Sequence, residues 1–160
     1  MTIENIKELM DGVDIAALLP DLQAVLDHAA EIARFLILLG PLVLLFLGLH
    51  YYLLAPKEAN FTTGYRFFWG MGSVQAWQFT QRLAGTVWGV LGIVLLIAMG
   101  LRSLRFSRLD LESLLWEAVR CIGFQMILVL VSCGIINLIV FSRFDRKGNR
   151  RLTWGELFRS

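Results

Sequence analysis

Charge is what this chain has least of. Asp, Glu, Lys and Arg make up 18% of its residues against 57% apolar, and mean hydropathy is +0.65, a balance outside the range of soluble globular domains. Residues 35–54, 83–101 and 121–141 contain none of the four charged types. Each window approaches the ~20 apolar residues that carry a helix across the hydrocarbon core of a bilayer. The expected fold is therefore an all-α integral membrane protein with three transmembrane helices. Cysteine is also scarce. Cys121 and Cys133 lie twelve residues apart in one apolar run, about 18 Å along a helix, so they are too far apart to pair. With no Cys/His cluster nearby, neither a disulfide framework nor a zinc site is available. No metal or cofactor is implied.

Nor is there an excess of one sign. Fifteen Lys and Arg against thirteen Asp and Glu leave +2, too little for a nucleic-acid binder that works by neutralising phosphates. The spans hold no acid or base deep in the membrane that would build a proton relay or ion path, which disfavours a small transporter. No nucleophile, general base and orienting acid stand at readable spacing, and the isolated His28 and His50 read as surface and interface residues. The expectation is a protein that is not an enzyme.

The charges present are segregated. Residues 1–34 carry Lys7 and Arg34 against seven acids. Apolar residues Ile6, Leu9, Val13 and Ala16, then Leu22, Leu26, Ala29 and Ile32, recur at helical spacing around breaks at Gly12 and Pro20. This reads as an amphipathic acidic helical extension, unsuited to an anionic lipid surface, whose apolar stripe meets a partner or another part of the chain. It has no basic start and does not read as a cleavable signal peptide. Residues 35–141 form the membrane domain, and 142–160 a basic tail. With three spans, the N-terminal extension and second loop share one side with six basic residues. The first loop and the tail share the other with nine. The positive-inside rule then predicts a multi-pass protein of the cytoplasmic membrane with its N-terminus out and C-terminus in.

Local signals refine the outline. Gly40-Pro41 should kink the first helix near its start. Asp110 is a suitable N-cap for a helix carrying Leu111, Leu114, Leu115, Ala118 and Val119, expected to lie along the interface before turning into the third span. Asn137 can hydrogen-bond a neighbouring helix. In the tail, Asp145, Asn149 and Glu156 stand at positions 1, 5 and 12 of a worn EF-hand loop. Lys147 and Arg150 occupy positions 3 and 6, where calcium needs an oxygen ligand and a glycine. The tail reads as a basic segment facing anionic lipid.

The first loop carries the most information. Its sequence PKEANFTTGYRFFWGMGSVQAWQFTQRLAG is rich in aromatics and in glycines that permit tight turns. Ser73 is an N-cap from which a helix can continue through Leu101. On it Gln75, Gln78, Arg82, Gly85 and Gly89 share a face, and Gly85 and Gly89 form a small-xxx-small pair for close helix packing.

Pro56, Lys57, Asn60, Gly64, Tyr65, Arg66, Ser73, Trp77, Arg82 and Gly85 together resemble the signature of the SdpI family of small bacterial membrane proteins. The resemblance extends over roughly residues 35–141 and is most specific in 56–85. Phe67 and Phe68 depart from the small polar residue that often follows Gly-Tyr-Arg, and Thr80-Gln81 stand where Ala-Asn is common. The resemblance implies a non-enzymatic immunity or signalling protein, since the founding member protects its producer from a secreted sporulation-delay toxin and relays that toxin's presence to a repressor. On that reading Asn60, Gly64, Tyr65, Arg66, Ser73, Trp77 and Arg82 form a ligand-binding or structural signature. The partners are the lipid bilayer and a peptide toxin or protein regulator. The alternative is an accessory or assembly subunit of a larger membrane complex, with the acidic extension as docking arm. So few spans make a thin bundle, which calls for a homo-oligomer or a partner.

Overall fold

A computed structural model describes residues 28–60 and 62–151. The acidic extension up to Asp27 and the end of the tail, including the EF-hand-like Glu156, lie outside the described residues. Within them three long helices run antiparallel in sequence: α1 (Ala29–Leu53), α2 (Val74–Ser103) and α3 (Leu111–Arg143). Two short 3₁₀ turns, Phe68–Met71 and Phe106–Arg108, punctuate the connections. All three helices are long and apolar enough to cross a membrane.

The helix starts follow local chemistry. Ser73 accepts a hydrogen bond from the Ala76 N–H at 3.1 Å and Asp110 accepts one from Ser113 at 3.2 Å, each satisfying a donor that the first helical turn would otherwise orphan. Hydrogen bonds from the Ser113 side chain, foremost, and from its backbone N–H hold the Asp110 carboxyl below the usual carboxylate range.

One expectation needs correction. Leu111–Val119 is not a separate interfacial helix that turns into a span but the first two turns and more of α3 itself. Nothing at Arg120 breaks the hydrogen-bond ladder. Leu114 and Ala118 simply face the bundle while Leu111, Leu115 and Val119 face outward. At 1.5 Å per residue α3 is about 50 Å long, well beyond the ~30 Å hydrocarbon core.

Each helix buries only a narrow stripe, and large apolar side chains such as Phe46, Ile97 and Leu138 lie outward. Lipid tails solvate such residues as well as protein does, so close backbone approach and hydrogen bonds must hold the bundle together. Between α1 and α2 the approach runs through glycines. A methyl group at Gly85 would sit 2.6 Å from the Tyr52 nitrogen, and one at Gly92 2.7 Å from that of Leu45. Gly89 contributes differently from Gly85. Its own Cβ position is open, but its backbone is what Gly48 packs against.

Between α1 and α3 the fastening is polar. Pro41 lies within an unbroken α1 and cannot donate to the carbonyl four residues earlier, that of Ile37. Gln125 of α3 supplies the missing donor at 2.9 Å. Gly40 makes the room, since a Cβ there would lie 2.5 Å from the Gln125 amide oxygen.

Two contacts define the ends of the bundle. Arg34 donates to the Ser103 carbonyl and the Ser107 hydroxyl at 3.3 and 3.2 Å, placing the start of α1 beside the α2–α3 turn. Ser73 donates to the Gly148 carbonyl at 2.7 Å, placing the first loop beside the tail.

Candidate functional site

The first loop is fastened to the helices along most of its length. After α1, the Pro56 carbonyl accepts a hydrogen bond from the indole of Trp77 at 2.8 Å, and the Lys57 carbonyl accepts one from Gln78. Trp77 is wholly buried. Asn60 then closes a turn on its own chain, its side-chain oxygen accepting from the N–H groups of Thr62 and Thr63 at 3.0 and 2.9 Å. Such Asx turns suit residues whose short side chain imitates a backbone carbonyl.

Gly64 has φ +109°, and a Cβ there would also lie 2.8 Å from the Trp77 ring. Both the conformation and the space require glycine. The next residue, Tyr65, is clamped at its backbone by the Gln81 side-chain amide. The amide oxygen accepts from Tyr65 N–H at 2.7 Å and the amide nitrogen donates to Tyr65 C=O at 2.8 Å.

From that clamp the Tyr65 side chain reaches into the bundle. Its ring meets Trp88 edge to face at 5.4 Å, and its hydroxyl donates to the Asn137 side-chain oxygen on α3 at 2.8 Å. Burial pushes the phenol above its ordinary value, so Tyr65 stays neutral and a donor. Trp88 in turn donates to Ser132 at 3.0 Å. One loop residue thus ties the loop, α2 and α3 together.

The latter half of the loop docks through Gly70, where a Cβ would be 2.5 Å from the Thr80 hydroxyl. Trp69 stands edge-on to Phe141 at 5.2 Å. The tail completes the surface. Asp145 accepts from the N–H groups of Lys147 and Asn149 at 2.9 and 2.8 Å and from the Asn149 side chain, and the Asn149 backbone bond foremost holds its carboxyl below the usual range. Gly148, at φ +76°, packs against Gly72 and Ser73.

The signature residues therefore fall into two groups. Asn60, Gly64, Tyr65, Ser73 and Trp77 point inward or shape the backbone. Arg66 and Arg82 are exposed. Arg66 donates to the Thr62 carbonyl at 3.2 Å, and Arg82 lies on a shallow outer groove with Gln75, Gln78, Phe79, Leu83 and Thr86. Because each directly follows a partner in the Tyr65–Gln81 clamp, both are carried on a fixed backbone. Asp145 is no free counter-ion for them, its carboxylate being engaged in its own turn. Phe68, two residues after Arg66, is 64% exposed. Exposed guanidinium groups of this kind are planar donors suited to a carboxylate or phosphate.

Gln81, Thr80 and Trp88 were not singled out by the sequence as functional, and Thr80-Gln81 read as departures. The only available signal was an amide three to four residues after a buried Trp on one helix face.

The model of the SdpI/YfhL protein family matches residues 57–142. The match covers the fastened loop, α2 and α3 and leaves α1 outside, a narrower span than the resemblance over 35–141. No curated protein and no solved structure matches the chain.

Proposed function

The chain belongs to the SdpI/YfhL protein family, and we propose that it acts without catalysis in the bacterial cytoplasmic membrane, binding a membrane-active peptide toxin or a protein regulator at the fastened loop. This is the role that resemblance to the immunity and signalling proteins implies. One observation carries it: the loop spends its inward residues on fastening itself and leaves Arg66 and Arg82 outward on a rigid backbone with no acid paired to either among the described residues. A guanidinium held ready costs little further ordering on binding, so it favours a ligand carboxylate in a bidentate pair over loose headgroup contact.

The test is survival. Cells sensitive to membrane-active peptides should survive better when they express the protein, and Arg66→Lys should lose most of that protection at unchanged abundance, because an ammonium cannot reproduce the planar fork. Arg82→Lys should lose part of it. Full protection by Arg66→Lys would reduce the two arginines to headgroup anchors, for which Lys serves equally.

A further inference from the structure

At the opposite end of the bundle, the α2–α3 turn and the start of α3 enclose a cleft of about 400 Å³ walled by Arg102, Arg105, Arg120 and Trp116, with Phe106, 1% exposed, at its inner side. A second groove of about 320 Å³ shares Arg102 and Arg120 with it and continues between α2 and α3 along Ala98, Met99, Cys121 and Phe124. We propose that this continuous cleft and groove bind one anionic phospholipid, its phosphodiester on Arg105 and Arg120 and an acyl chain in the apolar groove.

Depth, charge and shape each support that occupant. Arg102 and Arg120 are the first charged residues beyond the charge-free windows 83–101 and 121–141, so they mark the level where hydrocarbon gives way to phosphate. An exposed Trp116 at that level is the aromatic expected at such a boundary. Arg102 is paired with Glu117, which fixes one wall and cancels its charge. The guanidinium groups of Arg105 and Arg120 have no hydrogen-bond or ion-pair partner among the described residues. Against them stands Glu112 alone, so the cleft carries one net positive charge, matching one phosphodiester. A single phospholipid satisfies both features in the order they occur, its phosphate among the arginines at the boundary and an acyl chain in the apolar groove on the hydrocarbon side.

The experiment is native mass spectrometry of the full chain in mild detergent, titrated with phosphatidylglycerol or zwitterionic phosphatidylcholine of the same chains. Wild-type protein should retain one phosphatidylglycerol with roughly tenfold preference, and the double variant Arg105→Gln/Arg120→Gln should lose that preference. Arg82→Gln, altered at the other boundary, should keep it, and unchanged helical circular dichroism shows that the double variant is folded. Equal retention of both lipids, or undiminished preference in the double variant, overturns the proposal. So does a preference that appears only when Glu4, Glu8, Asp11 and Asp14 are neutralised, which would assign the cleft to the acidic N-terminal segment.

Discussion

At the scale of single residues, the loop's fastening rests on few atoms. Gln81 satisfies both the donor and the acceptor of Tyr65, so Gln81→Leu strands two backbone groups while Tyr65→Phe strands only the Asn137 oxygen. Leaving a buried polar group unpaired costs about 1–3 kcal/mol. Gln81→Leu should therefore destabilise the loop by roughly twice as much as Tyr65→Phe, read as faster amide exchange of residues 62–67 with the helices unchanged. Equal effects would mean that the clamp is redundant with the Trp77 and Gly64 contacts. Asp145 gives a pH test. Its carboxyl is held below the ordinary value, so its contribution to the tail turn is complete above the ordinary pKa of about 4 and fades only as pH falls through the lower folded value. Protection of the Asn149 amide should be independent of pH from pH 8 to 5 once intrinsic rates are divided out, and should drop below about pH 4. In Asp145→Ala it should be low throughout. Gly64, Tyr65 and Trp77 stood out in the sequence by motif. Gln81 did not, because a side-chain amide shows its use only when the backbone opposite is in place.

At the scale of elements, charge-free windows located the part of each helix that suits hydrocarbon but not the helix ends. The starts of α2 and α3 come from the caps at Ser73 and Asp110, both of which the sequence offered. The first turns of α3 were misread as an interfacial segment because an outward apolar face near a boundary looks the same on an interfacial helix as on a span that projects past it. What the sequence could not reveal is that Gly40-Pro41 and Gln125, 85 residues apart by Gly40, are one device. This predicts a non-additive pair of substitutions. Gln125→Leu leaves the Ile37 carbonyl unpaired in the bundle and should cost about 1 kcal/mol, the scale of interhelical hydrogen bonds in membranes. Pro41→Ala restores an intrahelical donor to that same carbonyl, so adding it to Gln125→Leu should recover much of the loss. Unfolding in mixed detergent micelles would measure the cycle, and strict additivity would refute the coupling.

At the scale of the whole molecule, the two ends carry different chemistry, and the remaining question is which end faces the cytoplasm. The Ser73–Gly148 bond puts the loop and tail together, and Arg34 puts the start of α1 with the α2–α3 turn, so the pairing of segments assumed in counting charges holds in the bundle. The loop-and-tail end has nine basic residues against six. Because Lys and Arg near span ends resist translocation, that end is predicted to be cytoplasmic. In intact cells a membrane-impermeant thiol reagent should label Ser107→Cys and leave Lys147→Cys unmodified until the cells are opened. Cys121 and Cys133, inside a charge-free window, should stay unlabelled in both. The reverse pattern would turn Arg66 and Arg82 to the outside. The proposed binding surface would then meet an arriving peptide directly, before it crosses the membrane, and a relay to a cytoplasmic regulator would have to run through the α2–α3 turn at the other end.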